Sequence, residues 1–265
     1  MNVFPASTRR ERILEQIRRD GGVTLAEVAR GHAISTMTAH RDLEQLAADG
    51  LVERVRGGAR ALPAGAAPPA HPTAWTQRIG QAAAAKAAIA AEAATLVAGG
   101  ETIFLDASST ALALAGRLTA APPYELTLVT NSPMIAAEIR ADPIHVVVCP
   151  GELDQQTRTI TGRWTVEFIG RLHFDTAFVS AAGITLDAGL TTARSPIAEV
   201  IGAARRAAAQ TVGLVDASKF GRASLVSIAQ AAELDLLISD EGLDADVAGE
   251  YRAAGVELRL APDAQ

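Results

Sequence analysis

From residue 86 onward the chain alternates short apolar runs with stretches of helical periodicity, and this alternation restricts the fold more than any other feature. Apolar runs occupy residues 102–105, 126–129 and 144–149, and further runs are expected near 176–179, 211–215, 234–238 and 256–260. Helical stretches fall at 87–98, 110–118 and 133–140, the first ended by Gly99-Gly100. Runs with no polar alternation suit strands buried on both faces, and a helix between successive strands returns the chain for parallel pairing. The expectation is an α/β domain, a largely parallel sheet with helices on both faces. No fixed-period repeat is present.

At 265 residues there is room for that domain and a small second one. Charge divides the same way. Residues 1–62 hold 10 arginines, no lysine and 8 acids, net +2, within a chain whose net charge is −6. An acidic body with a mildly basic head suits a protein that meets a polyanion at one place only. A proline- and alanine-rich stretch from Leu62 to Pro72 reads as a semi-stiff hinge, so the expected layout is a head at 1–62, a hinge at 63–76 and an effector and oligomerisation domain at 77–265.

Several classes are disfavoured. The lone Cys149 follows a valine run and reads as a buried strand residue, with a reactive thiol as the alternative, and nothing is built on disulfides. One cysteine and five scattered histidines do not make a zinc site, and neither a metal nor a cofactor is expected. No basic-then-apolar leader follows Met1, and the most apolar helix, 82–98, is interrupted by Lys86 and Glu92. The expectation is a cytoplasmic protein with no membrane segment.

Residues 24–59 carry the pattern of a helix, a short turn, a second helix and a hairpin, the layout of a winged DNA reader. Thr24 followed by Glu27 is a capping box that starts a helix near Leu25. Ser35 caps the next helix, and Met37, Leu43 and Leu46 recur as an inner apolar stripe, leaving Thr36, Thr38, His40 and Arg41 nearer the outer face. Residues so placed reach base edges, and Arg41 can read guanine or clamp a phosphate. Asp49-Gly50 stops the helix, and residues 51–56 run as a strand into Gly57-Gly58, with Arg54, Arg56 and Arg60 on the hairpin. A small helical interaction domain with solvated arginines is the other reading of the same periodicity. His32 reads as half-buried packing and His40 as a phosphate or base contact.

In parallel sheets, ligands collect where strand ends lead into helix starts. Three such loops are polar. Asp106-Ala107-Ser108-Ser109-Thr110 offers hydroxyls and free amides to an anion, or only a helix cap. In Thr130-Asn131-Ser132, Asn131 either bonds a sugar hydroxyl or folds an Asx-turn. In Asp216-Ala217-Ser218-Lys219-Phe220, Lys219 either meets a phosphate or is simply solvated.

Together these segments resemble the DeoR-type bacterial transcriptional regulators over nearly the whole length. In the head, residues 9–22 match the family's first helix, Thr38-Ala39-His40-Arg41-Asp42-Leu43 its TxRRDL-like recognition helix, and residues 51–59 its LxRxxGGA hairpin. His32, Ala33 and His40 depart from the usual leucine, glycine and arginine. In the larger part, 106–110, 129–132, Gly151-Glu152, 175–178, Glu199 and 216–220 follow the order of the family's sugar-phosphate-sensing domain, with Ser108 and Glu152 in place of glycines and Ile201-Gly202 where a lysine often follows the glutamate. The resemblance implies a winged helix-turn-helix head and an effector domain like ribose-5-phosphate isomerase and CoA transferases. It implies that Asp106, Ser108, Ser109, Thr110, Asn131, Ser132, Gly151, Asp175, Glu199 and Lys219 surround the effector. The protein would then be a repressor of a carbohydrate operon, with double-stranded operator DNA, a phosphorylated sugar and copies of itself as partners. A sugar-phosphate isomerase using Asp106, Asp175, Glu199 and Lys219, or a protein-interaction module, stands as the alternative, and fold alone decides nothing between them.

Overall fold

The computed structural model describes residues 6–32, 34–48, 52–55, 57–61, 75–140 and 142–262. The chain divides into two units, Met1–Thr73 and Ala74–Gln265.

The first unit runs α1 (Ala6–Asp20), β1 (Gly22–Thr24), α2 (Leu25–Gly31), α3 (Thr36–Ala48), β2 (Val52–Val55) and β3 (Gly58–Ala61). The capping box forms as read: the Glu27 amide donates to Thr24 Oγ1 at 3.2 Å and the Thr24 amide to Glu27 Oε2 at 2.7 Å. Ser35 Oγ caps α3 by accepting from the Thr38 amide at 3.1 Å. The strands form an antiparallel sheet in the order β1-β3-β2. Gly58 lets β1 and β3 close, since a Cβ there would stand 2.1 Å from the Val23 carbonyl oxygen. Ile13 and Ile17 of α1, Val28 of α2, Ala39, Leu43 and Leu46 of α3 and Val52 of the hairpin make one core. Met37, expected on the inner stripe, is instead 62% exposed. The buried stripe begins at Ala39, and two positions along a helix is a turn of about 200°, which carries Met37 to the opposite side. The helix stop expected at Asp49-Gly50, and Ala33, lie outside the described residues.

The second unit opens with α4 (Trp75–Gly80) and α5 (Ala83–Ala94). It continues through β4 (Thr102–Leu105), α6 (Ser109–Ala120), β5 (Leu126–Thr130), α7 (Pro133–Glu138), β6 (Ile144–Val148), β7 (Glu152–Asp154), β8 (Thr159–Thr161) and α8 (Arg163–Ile169). Then come β9 (Phe174–Val179), β10 (Gly183–Thr185), β11 (Gly189–Thr192), α9 (Ser195–Arg206), β12 (Ala208–Leu214), β13 (Val226–Ala229), β14 (Leu236–Asp240), α10 (Ala245–Ala253) and β15 (Leu258–Ala261). The hinge read over 63–76 lies outside the described residues as far as 74, and its last two positions are corrected: Trp75 and Thr76 begin α4.

Seven strands form the main sheet in the order β15-β14-β12-β9-β4-β5-β6, parallel throughout. Each strand alternates its side chains between two apolar layers. On β4, Ile103 and Leu105 join the layer of α5, α6 and α7, whereas Phe104 joins that of α8, α9 and α10. Two features were not expected from the sequence: an antiparallel β7–β8 hairpin, and a separate antiparallel sheet in the order β10-β11-β13. Cys149, just past β6, is 2% exposed, and burial pushes its thiol up to about 12. Among the described residues no helix is long and apolar enough to cross a membrane.

Candidate DNA-reading face and ligand crevice

Because Ala39, Asp42, Leu43 and Leu46 face inward, α3 presents Thr36, Met37 and Arg41 outward, with Thr38 and His40 half-exposed at the border. Asp42 anchors the helix from within, accepting from Arg9 Nε at 2.6 Å and Nη2 at 3.2 Å. Thr38 Oγ1 and Ser35 Oγ share a hydrogen bond of 2.9 Å. His40 Nδ1 lies 3.3 Å from Glu44 Oε1, one turn on. His32 is half-buried at the end of α2, and burial, with Arg12 and Arg9 nearby, pulls its imidazole below the ordinary value. On the hairpin, Arg60 grips Glu53 through Nε at 2.8 Å and Nη2 at 2.9 Å. Arg60 is thus already paired and less available to a phosphate than the sequence implied. Arg56 lies outside the described residues, as does the side chain of Arg54. The outward set of α3 has the composition of a major-groove reader, with an arginine, a hydroxyl and a methionine methyl at the N-terminal end of the second helix.

In the second unit the chain leaves β4 toward β5 and β6, but leaves β9 toward β12, β14 and β15. Adjacent β4 and β9 therefore form a switch point, where diverging loops open a crevice at the carboxyl ends of the strands. Asp106 ends β4 here. Its Oδ2 accepts from the Ser180 amide beyond β9 at 2.9 Å, and its Oδ1 from the Ser108 amide at 3.2 Å. Burial pushes Asp106 up to about 6, against hydrogen bonds from Ser108 and Ser180 and the charge of Arg78.

The other expected effector residues divide. Ser108 caps α6 by accepting from the Ala111 amide at 3.0 Å, and Ser132 caps α7 by accepting from the Ile135 amide at 3.3 Å. Ser109 is half-buried in the first turn of α6 and Thr110 is buried beside it. Asn131 Nδ2 donates to the Ile160 carbonyl at 3.0 Å, which ties β8 to the end of β5, while its buried Oδ1 has no partner among the described residues. Gly151, with φ 149°, is there for packing, since a Cβ would meet Thr165 Oγ1 at 2.1 Å. Glu199 sits on the exposed side of α9 and accepts from Ser195 Oγ at 3.0 Å. Lys219 lies half-buried in the turn after Asp216, at the same carboxyl edge as Asp106.

Asp175 is corrected. It stands at the amino end of β9, and its Oδ2 accepts from the Thr102 amide at 2.8 Å at the start of β4. Four further strand residues at roughly 3.3 Å each separate it from the crevice. It closes the opposite edge of the sheet.

The structure adds two cations that the sequence did not signal. Lys86 of α5 is 6% exposed, and its Nζ donates to the carbonyls of Arg78 and Gln81. Burial pulls its ammonium below the ordinary lysine value, with Asp216 opposing and Lys219 and Arg78 adding to the shift. An ammonium has three donors, so among the described residues one remains for a ligand. Arg78 of α4 lies over the Trp75 ring at 5.1 Å and donates from Nη2 to the Thr157 carbonyl at 3.0 Å, while its buried Nε has no partner among the described residues. Burial lowers its guanidinium too, with Asp106 opposing. Lys86 feels the charges of Asp216, Lys219 and Arg78, and Arg78 that of Asp106, so these groups gather at one edge, with Lys86 and Arg78 partly withdrawn from water. Neither of the first two lies in a strand-end loop, and an alanine-rich helix gives no cue that its lysine turns inward. Beside the cluster opens a cleft of about 250 Å³ lined by Asp154, Thr157, Thr161, Arg194, Pro196 and Ile197, none of them among the expected effector residues. Among the described residues no group of acids, histidines and cysteine is placed to hold a metal.

Comparison with known proteins matches the description DeoR C terminal sensor domain to residues 81–241 and DeoR-like helix-turn-helix domain to residues 9–63. The chain is 33% identical to the HTH-type transcriptional regulator GolR of Listeria innocua, over 98% of this chain and 100% of that one. It is 30% identical to the lactose phosphotransferase system repressor of Lactococcus lactis, over 88% of this chain and 90% of that one. Among solved structures, the ribose 5-phosphate isomerase A of Methanocaldococcus jannaschii aligns with 51% of this chain and 53% of that one, at 20% identity and a TM-score of 0.37. With a helix-turn-helix unit and a sensor unit matched in order, and a relative 33% identical over 98% of the chain, the chain belongs to the DeoR family of transcriptional regulators.

Proposed function

We propose that this protein is a repressor of a carbohydrate-utilisation operon that binds double-stranded operator DNA as a homo-oligomer through α3 and releases it when a phosphorylated sugar fills the crevice. The observation that carries the effector class is the cluster of buried Lys86 with half-buried Arg78 and Lys219, in which, among the described residues, Lys86 keeps one free donor and Arg78 an unpaired Nε. Desolvated cations with unused donors at the carboxyl edge of a parallel sheet favour an anion such as a phosphoryl group. The name of the Lactococcus repressor, a regulator of a sugar uptake system, points the same way. The head supports DNA as partner through the outward Thr36, Thr38, His40 and Arg41.

The isomerase reading requires Asp106, Asp175, Glu199 and Lys219 around one substrate. Asp175 serves the far edge of the sheet, Asp106 is committed to two amides, and Glu199 is exposed. The three acids of that reading are thus not gathered around one substrate, which favours sensing over turnover.

Release is a coupling free energy: a hundredfold loss of operator affinity on effector binding corresponds to about 2.7 kcal/mol of preference for the DNA-free state. The test is thermal unfolding against sugar phosphates and the matching free sugars, with Lys86→Met as the variant. A shift with a phosphorylated sugar, absent with its free sugar and absent in a Lys86→Met protein that still melts cooperatively, is expected. An equal shift with the free sugar would overturn the phosphate reading.

A further inference from the structure

The cleft beside the cationic cluster is walled by two segments whose lining residues the sequence left unassigned. The β7–β8 hairpin supplies Asp154, Thr157 and Thr161, and the start of α9 supplies Arg194, Pro196 and Ile197. The walls are joined by an ion pair between Arg194 Nη1 and Asp154 Oδ2, and Arg194 Nη2 donates to Gln156 Oε1 at 2.6 Å. Asp154 Oδ1 also accepts from the amides of Gln156 and Thr157, at 2.8 and 3.0 Å, so the carboxylate is rigidly aimed. Thr157 is 1% exposed, and its hydroxyl lies beside Asp154 without a well-aligned partner among the described residues. On its other side, Thr157 receives Arg78 through its carbonyl at 3.0 Å. One residue thus separates the cations of the crevice from the acid and arginine of the cleft.

We propose that Asp154 and Arg194 form the selectivity end of the effector site and hold the hydroxyl groups of the sugar while its phosphate lies inward at Arg78, Lys86 and Lys219. This rests on the phosphate reading above. The chemistry matches a polyol: a fixed carboxylate accepts from hydroxyls, a guanidinium donates to hydroxyl or ring oxygens, and Pro196 with Ile197 offers an apolar surface to the C–H face of a sugar. The cleft, at about 250 Å³, has room for a small ligand. A site built to hydrogen-bond hydroxyls discriminates by leaving buried polar groups unpaired when the wrong epimer binds. Asp154 and Arg194 are therefore specificity-determining residues, and a phosphorylated aldose or ketose is the class of ligand.

The experiment is calorimetric titration of the full chain with inorganic phosphate, glycerol 3-phosphate and a panel of epimeric pentose and hexose phosphates. The variants are Asp154→Asn, Arg194→Gln and Ile197→Trp, the last filling the cleft while keeping the ion pair. In each, affinity for the preferred sugar phosphate should fall at least tenfold and the spread among epimers should narrow. Affinity for inorganic phosphate should move less than twofold. Unchanged epimer selectivity in all three variants overturns the assignment while leaving the phosphate site standing. Equal losses for phosphate and sugar phosphate also overturn it, because the pair would then act on the whole site. Wild-type protein that binds neither phosphate nor any sugar phosphate overturns the effector reading itself, and this inference with it.

Discussion

Asp106 holds a carboxyl group where ionisation is costly, and that cost should be measurable as a dependence of stability on pH. Its side chain is buried, and burial pushes its titration from an ordinary 3.8 to about 6. Below about pH 3 the group is protonated whether the unit is folded or unfolded, and contributes nothing. Between about pH 3 and 7 the unfolded chain releases the proton ahead of the folded unit, so stability falls as pH rises. Above about pH 7 the loss is complete and constant. A difference of about 2 pKa units at about 1.4 kcal/mol each gives a loss of about 3 kcal/mol. Asp106→Asn removes the titration but not the neighbours, so subtracting its stability curve from that of the wild type cancels every other group that titrates in the window. Both tryptophans of the chain, Trp75 and Trp164, belong to the second unit. Urea unfolding followed by tryptophan fluorescence therefore reads this unit without the head. The wild-type-minus-variant stability should drop by about 3 kcal/mol from pH 3 to pH 7, about 2 kcal/mol of it between pH 4 and pH 6, and then level off. A flat difference, or one that rises with pH, would show that Asp106 ionises freely and that its surroundings are wetter than the structure implies.

Two further outcomes test the head. Arg41→Ala should cost about 1–3 kcal/mol of operator affinity by fluorescence anisotropy while leaving the effector-induced thermal shift intact, and loss of both would contradict the separation of sites. Gly58→Ala should destabilise the head by at least about 1–3 kcal/mol, because the added Cβ would sit 2.1 Å from the Val23 carbonyl oxygen. DNA binding should be lost with the tryptophan transition unmoved, and wild-type operator affinity in this variant would refute the close approach of β1 and β3.

Periodicity located the elements of both units because the signal that forms them is local. Every apolar run read as a parallel strand lies in the main sheet, and the Thr24 and Ser35 caps start the helices they were read to start. The errors have physical causes. The motif around Asp175 says that a strand is there but not which of its ends carries the acid, and only the register with β4 places it at the amino edge. Lys86 looks like an interruption of an apolar helix, yet the carbonyls that draw it inward end another helix and occupy the following turn. The hairpin of β7 and β8 escaped notice because each strand is three residues long, with charged and polar residues at its ends. Arg194 and Asp154 are 40 positions apart and meet only after folding.

The two sides of α3 have a consequence for how such a regulator changes its target. Ala39, Asp42, Leu43 and Leu46 are buried and hold the helix to the head, while Thr36, Met37 and Arg41 are exposed on the other side. In the proposed reading, substitutions at the outward positions change the base sequence recognised while leaving the buried set of α3 intact. On that reading a new operator is reached through single replacements on the outward side of the helix, with the fold of the head carried by the other side.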